Sequence, residues 1–251
     1  MPLSLLSASV VGSALAVTAA GAAISYAGMS PTSQLFGPMV VAGRNPRQIA
    51  LTYDDGPNDA ATPALLDLLG EHNIRATFFM IGKFARQRPD LVRAVAAAGH
   101  LIGNHSDTHP ALLLCSNARI QAELRDGNAA LEDALGANAI RWFRPPFGAR
   151  RPYVLRVARE LQLTPVQWNA MGYDWEPTTP QSVEAHVWRG FERNHSRGLA
   201  TNVLLHDGGH TAMGQDRSHT IAATRSLILR WKKYFAAREE ACEFVTPEAW
   251  V

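Results

Sequence analysis

From Gln48 onward the chain alternates between two rhythms. Short runs enriched in apolar, aromatic and β-branched residues read as strands: Gln48–Tyr53, Ile74–Ile81 (IRATFFMI), His100–Gly103, Arg141–Arg144, Thr164–Trp168 and Thr201–Leu205 (TNVLL). Between them, apolar residues recur at helical spacing over Thr62–Glu71, Asp90–Ala98, Ser116–Leu135, Pro152–Leu161, Gln181–Arg193 and Arg217–Ala237, with Phe244-Val245-Thr246 closing the series. Pro63 sits near the start of the first helix, where a missing N–H does no harm, and Gly99 stops the second. Strands alternating with helices imply right-handed β-α-β units and a parallel sheet. The number of units suits an α/β barrel better than an open sheet, and in such barrels the chemistry sits where strands end and loops begin.

Residues 1–47 follow neither rhythm. No charged side chain precedes Arg44, and Leu3 to Met29 is Ala, Val, Leu, Ile, Gly and Ser with one Thr, one Tyr and one Met. An apolar stretch of about 20 residues can span a bilayer as a helix. The small residues Ala19-Ala20-Gly21-Ala22-Ala23 also suit a cleavable export signal, although basic residues ahead of the apolar run are missing. An Ala-rich helix packed on the domain is the third reading. The expectation is a signal- or anchor-like segment at 1–29, membrane association through residues 3–29, and a domain exported or anchored outside the cytoplasm. Residues 30–47, with three prolines and two glycines, read as a linker to a domain at 48–251.

Composition narrows the function classes. Hydrophobic residues make up 47% of the 251 and charged residues 18%, as in a globular domain. The net charge of +2, without a basic run, gives no surface for nucleic acid. Cys115 and Cys242 make no disulfide framework and read as ordinary buried thiols.

The residues with chemical potential fall at strand ends. In His105-Ser106-Asp107-Thr108-His109, two imidazoles four residues apart lie on one face of a helical turn and can share a metal ion. Such a pair also arises by accident. It gains weight when a carboxylate from another strand end joins it, because two His and one Asp leave positions open for water and substrate. Asp54 and Asp55 supply candidates: if one binds the cation, the other is free to take a proton from water. The sequence Asp54-Asp55-Gly56-Pro57 equally suits a plain turn. Arg144-Pro145-Pro146-Phe147-Gly148 offers an Arg to hold a carboxylate and a stiff turn that fixes the Phe147 N–H, or else a rigid loop with an exposed Arg. His206, straight after a buried strand, can act as a general acid or cap the strand end. Asp174-Trp175 is nearly uninformative alone, although the Asp could orient His206. His210 and His219 are expected to be solvated loop residues.

Together these segments resemble the polysaccharide deacetylases, the carbohydrate esterases with a NodB-type domain. TYDDGP looks like the family's first motif, with Tyr53 in its Phe position; HSDTH, RPPFG, DW and LLH are similar to the second to fifth; and ATFFMIG and GHLIGNH are also typical. The resemblance covers roughly Gln48 to Thr246. It implies a distorted (β/α) barrel of seven or eight strands binding one divalent cation, usually zinc, with cobalt or another divalent ion as alternatives. It implies Asp55, His105 and His109 as metal ligands, Asp54 as general base, Arg144 as its orienting partner, the Phe147 N–H at the oxyanion, and His206 as general acid beside Asp174. Tyr53, Phe147, Trp175 and Leu204 would contact substrate. The implied activity is hydrolysis of N-acetyl groups from N-acetylglucosamine units of a peptidoglycan- or chitin-like glycan. The alternatives are an O-acetyl esterase, a deacetylase or deformylase of a lipid-linked sugar, and a non-catalytic glycan-binding domain. Two departures stand out: Phe147 where Tyr is common, and Met171 where many members carry an Asp three residues before the Asp-Trp pair.

Overall fold

A computed structural model describes Gly21 and residues 24–251. Most of the expected signal or anchor at 1–29 lies outside these residues. Among the described residues, no helix is long and apolar enough to cross a membrane.

The elements run β1 (Gln48–Gly56), α1 (Ala61–Glu71), β2 (Thr77–Met80), α2 (Gly82–Gln87), α3 (Pro89–Ala97), β3 (Leu101–Asn104), α4 (Asn117–Leu135), β4 (Trp142–Phe143), α5 (Pro152–Glu160), β5 (Thr164–Pro165), β6 (Ala170–Met171), α6 (Pro180–His195), β7 (Thr201–His206), α7 (Ser218–Ala236) and β8 (Glu243–Phe244). All strand pairings are parallel, in the order β5-β4-β3-β2-β1-β7-β6, and β8 joins the start of β1. This is the expected distorted barrel, split between β5 and β6. Their separation has a simple cause: only Val166 to Asn169 connect these two edge strands, too short a link for the helix a parallel crossover needs.

The split is sewn by the chain that precedes β1. The Val40 N–H donates to the Pro165 carbonyl at 2.9 Å, and the Gln167 N–H donates to the Val40 carbonyl at 2.8 Å. On the other side of the split, at the start of β7, Asn202 Nδ2 donates to the Val41 carbonyl at 3.0 Å, and the Ala200 N–H to the Gly43 carbonyl at 2.9 Å. Residues 30–47, read as a linker from their prolines, are therefore bonded to the barrel over much of their length.

Helix ends follow from local chemistry. Ser116 Oγ accepts the Arg119 N–H at the start of α4, and Gly136, in the left-handed region at φ +67°, ends it. The helix α2 was not legible in the sequence: GKFARQ is too short to show a period. The two-residue β6 is likewise too short to show a pattern, so Asp174 follows β6 and His206 ends β7. Ile74–Ile81 contracts to β2, and Thr164–Trp168 to β5, because only those residues pair in the sheet.

The two faces of the sheet differ. Ile49, Leu51 and Tyr53 of β1 point outward into the core under the helices. Thr52 and Asp54 point inward, toward a smaller cluster of Phe79, Trp142 and Val166 and the fully buried Arg144. Gly103 on β3 is required here, since a Cβ would lie 2.3 Å from the Phe79 ring. That ring then carries the Arg144 guanidinium 4.2 Å from its centroid.

Candidate active site

Neighbouring residues on a strand point to opposite faces, yet Asp54 and Asp55 both reach one cavity. The register of β1 against β2 shifts between Asp54 and Gly56, and Asp55 takes a left-handed φ of +73°. That bulge swings the second carboxylate to the side of the first. The turn is locked by the one after β7: a Cβ on Gly208 would lie 2.1 Å from the Asp55 carbonyl, and one on Gly56 would lie 2.3 Å from Asp207 Oδ2. Asp207 itself is fully buried and receives the Thr62 hydroxyl at 2.5 Å. Burial is the largest influence on its carboxyl, pushing it up to about 7.

His105 and His109 do not lie on a helical turn. Ser106 and His109 have φ of +65° and +64°, and the loop is held from outside. Asn104 Oδ1 accepts the Ser106 N–H at 2.7 Å, Ser106 Oγ accepts the His109 N–H at 3.0 Å, and the buried Glu123 accepts the N–H groups of Asp107 and Thr108 at 3.0 and 2.7 Å. The imidazoles converge because the turn reverses. His109 Nε2 lies 3.1 Å and His105 Nε2 3.5 Å from Asp55 Oδ1. One ligand atom from each of these three residues falls within 4.8 Å of the others.

These residues fit a divalent cation. His105 donates Nδ1–H to the Arg144 carbonyl at 2.7 Å, which leaves the Nε2 lone pair facing Asp55. Burial pushes His105 down to about 4, so its imidazole is neutral at pH 7. Burial alone would raise the Asp55 carboxyl, but the imidazoles around it, His109 foremost, hold it well below the usual carboxylate range. Asp55 Oδ1 and His109 Nδ1 are buried without an aligned hydrogen-bond partner. An acceptor-rich, desolvated cluster of this kind is what a cation satisfies.

Asp54 is held from behind. Arg144 Nη1 donates to Asp54 Oδ1 at 2.8 Å from a side chain that is fully buried, out of reach of solvent. The same Nη1 reaches Thr52 Oγ1 at 2.8 Å, and Nη2 reaches the Gln167 carbonyl at 3.3 Å. Asp54 Oδ2 is left facing the cavity, 3.6 Å from His105 Nε2.

Across the cavity, Asp174 grips His206 twice. Its Oδ1 meets His206 Nδ1 at 2.8 Å, and its Oδ2 accepts the His206 backbone N–H at 2.8 Å. Thr220 Oγ1 also donates to Oδ2, while Arg217 and His219 both reach the Asp174 carbonyl. Burial works against a charged His206, but the Asp174 carboxylate and its hydrogen bond outweigh it and push the imidazole up to about 9. Met171 in place of an acid therefore does not prevent this pairing.

Asp54, Asp55, His105, His109 and His206 line one cavity of about 570 Å³, with Phe147, Trp175 and Leu204 on its walls. Phe147 is half-exposed at φ +57°, and the tight-turn bonds around it are made by Gly148 and Ala149, leaving its own N–H out of them. Tyr53 is the exception among the expected site residues. It is fully buried on the outer face of β1, stacked 5.1 Å from Phe78, with its hydroxyl on Thr224, and does not line the cavity.

Of the two residues expected to be solvated, His210 is exposed, as expected, yet sits against the site, and His219 is half-buried. His210 stacks on His109 at 4.7 Å and lies 4.0 Å from Asp55 Oδ2, while His219 supports Asp174. The Gly-Gly pair before His210, which lets the loop fold back over Asp55, was the available signal.

Residues 42–166 match the family model described as polysaccharide deacetylase. The chain is 36% identical over 197 residues to a chitooligosaccharide deacetylase of Rhizobium leguminosarum bv. trifolii, covering 76% of this chain and 88% of that protein. It is 35% identical over 191 residues to a peptidoglycan-N-acetylglucosamine deacetylase of Bacillus cereus, covering 75% and 84%. Its fold is similar to a family 4 acetyl xylan esterase from Clostridium thermocellum, solved with a cobalt ion: TM-score 0.66, 29% identity, 80% of this chain and 89% of that one. A longer family 4 pseudoenzyme from Bacillus anthracis is also similar, at TM-score 0.67 and 25% identity; the likeness spans 80% of this chain but 63% of that one.

Proposed function

The chain belongs to the polysaccharide deacetylase family, and from that premise we propose that it is a metal-dependent hydrolase removing N-acetyl groups from N-acetylglucosamine units of a peptidoglycan- or chitin-like glycan. The fold alone does not carry this reading, since a pseudoenzyme shares it. The observation that carries it is the convergence of a cation-ready Asp55, His105 and His109 with an unengaged Asp54 Oδ2 and a His206 pushed up to about 9, all facing one cavity.

Asp55, His105 and His109 would hold the cation, and zinc suits a ligand set of two imidazoles and a carboxylate. When bound, such a cation supplies Lewis acidity toward an amide carbonyl and lowers the pKa of water. Asp54 takes the proton of the attacking water through Oδ2, while Arg144 fixes Oδ1 and offsets its charge. The Phe147 N–H donates to the oxygen that becomes negative as the carbonyl carbon turns tetrahedral. His206, protonated at neutral pH, delivers a proton from Nε2 to the departing amine, with Nδ1–H held by Asp174. Acetate and a free amino sugar result. Trp175 and Leu204 wall the part of the cavity suited to the acetyl methyl.

The acetyl xylan esterase neighbour favours O-deacetylation as the second reading. Acetate release from chitotetraose and from acetylated xylan distinguishes the two. Release from chitotetraose, lost in chelator and restored by zinc, is the expected result; turnover of xylan alone would overturn the amide reading. The apolar segment at 1–29 suits an exported or membrane-anchored enzyme, and mass measurement of the mature N-terminus tests that proposal.

A further inference from the structure

We propose that a second groove, continuous with the catalytic cavity, binds an oxyanion carried by the glycan, so that the substrate is an acidic rather than a neutral polymer; this rests on the deacetylase reading above. The groove has a volume of about 790 Å³ and lies between α6, the edge strand β6 and the segment that sews the split barrel. It shares Pro31, Trp168 and Met171 with the catalytic cavity, so a chain bound at one continues into the other.

Arg189 and Arg193, four residues apart on one face of α6, line this groove together with Arg197 in the turn just beyond the end of the helix. Like charges gathered this closely repel one another. No Asp or Glu lines the groove. Among the described residues, none of the three arginines pairs with a carboxylate, whereas Arg225 and Arg230 elsewhere on the surface pair with Glu71 and Glu184, each at 2.7 Å. Glu192, the nearest acid along the helix, is engaged by the Trp188 indole N–H at 2.7 Å. The residues outside the described part bring no relief, because no acidic residue precedes Asp54 in the chain.

Two of the guanidiniums are already positioned. Arg193 Nη2 donates to the Asn169 carbonyl at 2.6 Å, and Arg189 Nε to the Ala185 carbonyl at 3.2 Å. Each keeps further N–H donors free in the fork that matches a carboxylate or phosphate. Gly190 brings this face close to the sheet, since a Cβ there would lie 2.6 Å from that of Ala170. The site is thus a preorganised, uncompensated cationic strip leading away from the acetamide pocket.

The test compares acetate release from chitotetraose with release from tetrasaccharides of the same length bearing carboxylate or phosphate substituents. The wild type is set against the variant Arg189→Gln/Arg193→Gln/Arg197→Gln. The expected result is a KM raised about 10-fold or more for the substituted substrates, with kcat and the chitotetraose reaction unchanged. The substituent showing the larger change identifies the oxyanion. An equal change on chitotetraose, or none on any substrate, would overturn the proposal. If the triple variant melts early, Arg197→Glu, whose side chain makes no hydrogen bond among the described residues, is expected to raise KM for the acidic substrates alone. If the wild type releases no acetate at all, the deacetylase reading falls. Calorimetric binding of the carboxylated tetrasaccharide then judges the groove: weakening in the triple variant supports it and no change overturns it. Loss of binding to anionic phosphatidylglycerol vesicles with unchanged KM would assign the arginines to a membrane surface and overturn the substrate role.

Discussion

Two charge pairs flank the catalytic cavity, and they are built in opposite senses. In Arg144–Asp54 the permanent charge is a cation, wholly buried, and the working group is a carboxylate with one free oxygen. In Asp174–His206 the support is a buried carboxylate and the working group is an imidazole with one free nitrogen. Each support is itself bonded to backbone: Arg144 to the Val166 and Gln167 carbonyls, and Asp174 to the His206 N–H. The difference between the pairs assigns direction. The first leaves an acceptor facing the cavity and the second a donor, so protons enter on one wall and leave from the other.

Breaking the acceptor wall should have the largest effect. Asp54→Asn keeps the Arg144 contact geometry but removes the base, and kcat/KM for acetate release is expected to fall about 10²–10⁴-fold with cation binding retained. An unchanged rate would move the base elsewhere. Removing the support, as in Arg144→Met, leaves Asp54 desolvated and unpaired, and denaturant titration should show a loss of about 3–5 kcal/mol in stability along with the activity.

The donor wall should respond through pH. His206 is raised above its ordinary value, so it holds its proton until the pH passes about 9, and its loss of that proton is expected to set the alkaline limb of the activity profile. In Asp174→Asn the carboxylate that opposes burial is gone, the proton leaves earlier, and the alkaline limb of kcat/KM should move to lower pH. A fall in rate of about 10–100-fold should accompany it. A limb that stays in place would show that His206 is not the acid. Smallest of all, Phe147→Ala preserves the backbone N–H and loses only ring contacts with His109 and His210, so the rate should change by less than about 10-fold.

The two walls also differ in how far the sequence revealed them. Asp54, Asp55, His105 and Arg144 were legible because each sits in a short segment at a strand end, where local residue types announce the chemistry. The Asp174–His206 pair is open to suspicion from the residues and gains weight only with the family resemblance, since nothing local in Asp-Trp tells which way the carboxyl points. Tyr53 was misassigned because every residue of β1 after Gln48 is buried, so the apolar pattern cannot say which side faces the cavity. The left-handed turns at Asp55 and His109 were hidden too, because neither is a glycine. The seam from Val40 to Gly43 was illegible for a different reason: its bonds are to strands more than a hundred residues away, and its own prolines and glycines read as a linker.

Both walls presuppose a cation between them, and titrating chelator-stripped protein with Co²⁺ tests that most directly. Saturation at one ion per chain, with the visible spectrum of a low-coordinate cobalt site and its loss in Asp55→Ala and His109→Ala, is the expected result. Absence of saturable binding, or binding that survives both substitutions, would contradict it.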